Sequence, residues 1–157
     1  MISEPHAHAD DLLARVAQET FETLAFMYSV HEQDAPTGPP MTAEVHFRGP
    51  VHGRLVLTVS DSMLPALGMN MLGCDDEQST DEAQQRDALK EVLNVICGNL
   101  LPLLYNQYDV FDVQAPAVPA MPTPPDVPID GQARLYLDGG LVHVALYIEA
   151  GCEAKVA

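Results

Sequence analysis

Basic side chains are scarce in this sequence: 7 Lys and Arg stand against 23 Asp and Glu, a formal net charge of −16. A surface of that sign repels the phosphate backbone of nucleic acids and the anionic face of a membrane, so neither is an expected partner. Cysteine is equally sparse. Cys74, Cys97 and Cys152 are odd in number, far apart, and form neither a CxxC nor a zinc-type ligand set, which points to reduced thiols, with no metal site. No apolar run is long enough to span a bilayer, and the first nine residues lack a basic stretch followed by an apolar one. The expected location is the cytoplasm.

What is present suits a folded chain. With 157 residues, 47% of them hydrophobic, one domain covering residues 1–157 has enough apolar material for a core. Between residues 10 and 30, Leu12, Leu13, Val16, Phe21, Leu24 and Met27 recur at helical spacing and predict an amphipathic helix. Three prolines and a glycine in residues 34–40 then enforce a loop. Alternation through Ala43, Val45 and Phe47, a Gly49-Pro50 break, and alternation through Leu55, Leu57 and Val59 predict a β-hairpin.

Ser60 and Asp61 suit a cap for a short helix from Met63 to Leu72, stopped by Gly73. Ser79 followed by Glu82 reads as a capping box opening the longest helix, to about Tyr105, with Pro102 as a kink or an early stop. A short strand is expected over residues 108–113. Six prolines in residues 115–128 require an extended loop or flap. The run from Ala133 through Asp138-Gly139-Gly140 to Ile148 is the clearest hairpin. The expected class is α+β: a mainly antiparallel sheet with helices on one face, built from two related halves of a helix and a hairpin each.

On the long helix, a rotation of about 100° per residue gathers Leu89, Val92, Leu93, Ile96, Leu100, Leu103 and Leu104 on one side. Asp87, Glu91, Asn94 and Gly98 fall on the other. A solvated helix face carries polar residues in any case, and Glu-x-x-Asn alone does not separate function from solvation. Gly98 is the less ordinary member, since a mid-helix glycine costs about 1 kcal/mol relative to alanine and clears room for an approaching backbone.

The surrounding string Asp87-Ala-Leu-Lys-Glu91-Val-Leu-Asn94-Val-Ile-Cys-Gly98-Asn99 resembles the helix signature of the CheC, CheX and FliY phosphatases of bacterial chemotaxis. The stretch 47–53 leading into Leu55-Val-Leu57, and the segment 60–73, are similar to the family's first hairpin and short helix. The resemblance implies dephosphorylation of a CheY-like response regulator. Glu91 would dock against the receiver's lysine and Asn94 would orient the attacking water, with Asp87 and Gly98 on the partner-binding face. It implies no cofactor of the chain's own, a divalent metal (magnesium) being supplied by the receiver, and a homodimer, for which the last hairpin offers edges. A non-catalytic receiver-binding adaptor is the alternative.

Within the sequence, Phe21-Glu22-Thr-Leu-Ala25 aligns with Lys90-Glu91-Val-Leu-Asn94, placing Ala25 where the second half has its amide. The chain therefore resembles the single-site CheX branch. His6, His8, Asp10 and Asp11 lie close together but read as an N-terminal tail, His31, His46, His52 and His143 share no spacing, and Cys97 reads as core. The acidic run from Asp75 to Glu82 reads as a solvated face.

Overall fold

A computed structural model describes residues 5–73 and 80–149, with side chains from His8 onward. The chain runs α1 (Pro5–Ala25), β1 (Pro40–Arg48), β2 (Gly53–Ser60), α2 (Leu64–Leu72), α3 (Glu82–Leu104), β3 (Asp112–Val113), β4 (Gly131–Leu137) and β5 (Gly140–Ile148). The five strands form one sheet, ordered β3-β1-β2-β5-β4, in which every neighbouring pair is antiparallel. The α+β class stands.

The two long hairpins meet at the centre of the sheet, where β2 pairs with β5 from Gly53–Ile148 to Val59–Val142. Inward-pointing Val45, Phe47, Leu55, Leu57, Val142 and Val144 are all buried, as period-two alternation demands. The three helices cover this face. α1 lies over β4 and alongside α3, and α3 lies over β1 while also packing on α2. Each long helix thus rests on the outer strand of the other half's hairpin, which ties the halves into a single buried cluster.

Helix ends explain most departures from expectation. α1 stops at Ala25, not at residue 30, because Phe26 adopts a left-handed φ of 55°. The Met27 amide then donates back to the Phe21 carbonyl at 3.1 Å, folding the chain over the helix end, and the Met27 side chain is buried in the core. Met27 is buried as expected, but from outside the helix. Ser60 does not cap α2: its hydroxyl accepts from the Leu141 amide at 3.0 Å. α2 ends as expected at Gly73, whose φ of 71° is left-handed.

α3 opens two residues beyond the expected cap. Asp81 accepts from the Gln84 amide at 2.8 Å while the Gln84 side chain accepts from the Asp81 amide at 2.9 Å, a reciprocal capping box. Ser79 lies outside the described residues. Pro102 does not end the helix, which continues to Leu104.

β3 is far shorter than the expected 108–113 and pairs only with Phe47 and Arg48. Tyr108 and Val110 are exposed. The proline-rich segment is extended, as expected. Ala117 exchanges two hydrogen bonds with Glu44, and residues 122–125 lie against Thr42, Val56, Thr58 and Tyr147 on the sheet face away from the helices.

The last hairpin offers less edge than expected. β5 is interior. The outer edge of β4 is capped at one end by Asp10, which accepts from the Gln132 amide at 2.7 Å, and at the other by Val30, whose amide donates to the Tyr136 carbonyl at 2.8 Å.

Candidate functional site

α3 carries the site because its burial alternates strictly. Ala88, Leu89, Val92, Leu93, Ile96, Cys97, Leu100 and Leu101 are buried, which leaves Asp87, Glu91, Asn94 and Gly98 exposed along the opposite side. All four residues singled out from the sequence therefore share one solvent-facing stripe. Leu103 departs from the reading: it is not core but 47% exposed, lining an open groove between α1 and α3.

The four residues are not equivalent. The Lys90 ammonium lies 3.3 Å from Asp87, an exposed intrahelical ion pair, so Asp87 is already engaged with its own helix. Among the described residues, Glu91 and Asn94 have no side-chain hydrogen bond or ion pair. One turn apart, a carboxylate and a carboxamide both point into solvent with their bonding capacity unspent. A Cβ built on Gly98 meets nothing within 4 Å among the described residues, so no described neighbour requires glycine there.

Pro102 continues the stripe, at a spacing the sequence already shows: 87, 91, 94, 98, 102. Its ring nitrogen has no hydrogen to return to the Gly98 carbonyl, leaving backbone acceptor capacity beside the bare Cα. Alongside runs a groove of about 660 Å³ walled by Arg15, Glu19, Thr20 and Thr23 of α1 and by Val95, Gly98, Asn99, Pro102 and Leu103 of α3. Sequence reasoning missed it. The groove needs two helices side by side, and only α1's own polar positions hinted at its wall. The helices are antiparallel, since the start of α1 at His8 and Ala9 meets the end of α3 at Leu104 and Tyr105.

Burial also corrects the internal comparison. Asn94 is exposed, whereas Ala25 is wholly buried. The order of buried and exposed positions from Val16 onward instead follows that from Ala88 onward, which sets Glu19 opposite Glu91 and Glu22 opposite Asn94. Glu22 accepts a hydrogen bond from Gln18 at 3.1 Å. The first half still lacks the amide, but a carboxylate stands in its place.

Other reactive groups lie elsewhere. Cys97 is buried on the core side of α3, and desolvation pushes its thiol up to about 12, which removes it as a nucleophile. His46 and His143 are half-buried on the outer sheet face. His46 lies 3.7 Å from Glu44, and His143 is hydrogen-bonded to Gln132 at 2.9 Å, with its pKa lowered by burial and by Arg134. Asp10 caps β4, while the side chain of His6, Asp75 to Glu77, Cys74 and Cys152 lie outside the described residues. Among the described residues, no three His, Cys, Asp or Glu side chains are grouped to hold a metal, and no helix is long and apolar enough to cross a membrane.

Residues 41–135 match the family model described as chemotaxis phosphatase CheX. No curated protein matches the sequence. Among solved structures, the chemotaxis protein CheX of Desulfovibrio desulfuricans is 17% identical and superposes with a TM-score of 0.69 over 90% of this chain and 99% of that one. CheX of Vibrio vulnificus is 14% identical, with a TM-score of 0.60 over 90% of this chain and 99% of that one. A CheX–CheY–BeF3–Mg complex from Borrelia burgdorferi includes a chain 18% identical, with a TM-score of 0.60 over 88% of this chain and 96% of that one.

Proposed function

The chain belongs to the chemotaxis phosphatase CheX family, and from that premise we propose that it hydrolyses the aspartyl phosphate of a CheY-like receiver, using Glu91 and Asn94 of α3. The observation that carries this reading is their shared exposure, one turn apart and free of partners within the described residues.

An acyl phosphate is already activated toward hydrolysis when its receiver holds a divalent ion and a lysine against the phosphoryl oxygens; what remains is to place a water opposite the scissile P–O bond. A carboxamide does this without ionising: its oxygen accepts from the water and its NH2 group donates, fixing the lone pair that attacks phosphorus. The water oxygen bonds to phosphorus as the P–O bond to the aspartate breaks; the aspartate is regenerated as a carboxylate on the receiver, and phosphate departs carrying the water's oxygen, with the water's protons passing to it and to solvent. Glu91 sets the helix in register by pairing with the receiver's lysine, a charge-assisted bond strengthened as the interface excludes water. Magnesium belongs to the receiver and this chain contributes no cofactor. The CheX of the Borrelia complex supports the choice of partner, since it was captured in a complex with CheY, BeF3 and magnesium.

A receiver-binding adaptor would need the glutamate but no water-placing amide, so the exposed Asn94 favours catalysis. The setting is the cytoplasm, where such receivers act. A homodimer is part of the reading.

The deciding experiment follows phosphate release from a phosphorylated CheY-like receiver with and without the chain. Wild type accelerates release, and Asn94→Ala returns it to the receiver's own rate, a loss of about 100-fold or more for a misplaced reactant. Release by Asn94→Ala at the wild-type rate rules the mechanism out.

A further inference from the structure

We propose that the receiver's footprint extends past the catalytic stripe into the α1–α3 groove, where Arg15 holds an acidic side chain of the receiver and so sets which receivers are accepted. The inference rests on the reading of Glu91 and Asn94 just given.

Gly98 and Pro102 belong both to the stripe and to the groove floor, so the two surfaces are continuous. A partner seated on Asn94 overlies them. At about 1.5 Å per residue, Pro102 lies about 12 Å along α3 from Asn94. A standard interface buries about 800 Å² on each partner, a disc about 16 Å in radius, so a receiver docked at Asn94 reaches the far end of the groove. Because α1 runs antiparallel to α3, that far end is where Arg15 stands, beside Pro102 and the exposed Leu103.

Arg15 is the one cation lining the groove. Of the described cations, Arg54 pairs with Glu44, Arg86 with Glu82 and Lys90 with Asp87, while Arg15, Arg48 and Arg134 have no ion pair among the described residues. Arg15 has no ion pair or side-chain hydrogen bond among the described residues, although Asp11 and Glu19 lie one turn to either side. On a chain of net charge −16, an unengaged guanidinium on the face that meets the partner is complementary to a carboxylate of that partner. Leu103 and the floor at Gly98 and Pro102 supply an apolar rim that excludes water around such a pair.

The test is steady-state phosphate release with the receiver, among those of the encoding genome, that wild type dephosphorylates fastest. Arg15→Glu should raise KM at least tenfold with kcat at saturation unchanged, the rise should shrink as salt is added, and Arg15→Lys should recover most of the loss. Arg134→Glu, reversing a cation on the other side of the sheet, should match wild type. An Arg15→Glu enzyme within twofold of wild type in KM, or one reduced in kcat alone, overturns the proposal while loss of activity in Asn94→Ala leaves the catalytic reading intact. If wild type releases phosphate from no receiver, binding to beryllofluoride-loaded receivers replaces the rate: Arg15→Glu binding at least tenfold weaker supports the groove, and equal binding, or none by wild type, overturns it.

Discussion

The carbonyl of Ala25 accepts a hydrogen bond from the side-chain amide of Asn70 at 2.6 Å, so the last residue of α1 is tied to α2 rather than presented to solvent. Ala25 is wholly buried. Restoring the amide that the sequence comparison found missing therefore does not create a second catalytic helix. Ala25→Asn should add no phosphatase activity and should destabilise the fold by about 2–4 kcal/mol, from crowding and an unpartnered buried amide. Denaturant unfolding and phosphate release together check this.

That mismatch marks where sequence reading stopped. The stripe of Asp87, Glu91, Asn94 and Gly98 was legible because one helix repeats at one period and each residue's side follows from its number. The hairpins were legible from alternation and from Asp138-Gly139-Gly140. What escaped depends on partners distant in the chain. The left-handed turn at Phe26 carries no glycine to announce it, and the Ser60 hydroxyl looked like a cap until Leu141 was found to claim it. The capped edge of β4 needed Asp10 and Val30 brought in from the far half, and the groove needed α1 set against α3.

Gly98 separates folding from function. No described residue lies within 4 Å of a Cβ at this position, so Gly98→Ala should stabilise the chain by about 1 kcal/mol through helix propensity. For a chain of this size that is a rise in Tm of about 2–4 °C. Gly98→Gln should be at least as well folded as wild type yet weaken receiver binding, because its side chain fills the space the partner must enter. Calorimetry reads the first effect, and titration with a beryllofluoride-loaded receiver reads the second.

Alkaline pH should loosen the fold through Cys97 and Tyr105. Burial raises both pKa values, with Asp130 adding to the effect on Tyr105. The folded state therefore favours the protonated forms. For Cys97 this stabilisation is complete below the ordinary thiol value of 9.0 and is lost as pH rises from there toward about 12, because only the unfolded chain then releases the proton. Stability measured from pH 8 to 10.5 should fall above pH 9, and Cys97→Ala should make the decline shallower. In a variant with Cys74 and Cys152 replaced by serine, native Cys97 should resist iodoacetamide until denaturant is added.

Glu91 and Asn94 should fail in different ways, and the difference distinguishes positioning from chemistry. Glu91→Ala removes a charge-assisted contact of about 1.5–3 kcal/mol, so KM for the phosphorylated receiver should rise about 10- to 100-fold while the docked fraction still presents its amide. Glu91→Gln keeps the shape and loses the charge, and should fall between wild type and alanine, with a weaker dependence on salt. Asn94→Ala leaves KM nearly unchanged and removes kcat, because the water is no longer held in line. Asn94→Asp is the sharper variant: the carboxylate keeps an acceptor for water but places a negative charge beside the phosphoryl oxygens, so its kcat should stay as low as that of alanine. If Asn94→Asp turned over at the wild-type rate, the amide's neutrality would be irrelevant and water placement by Asn94 would no longer explain the exposed pair.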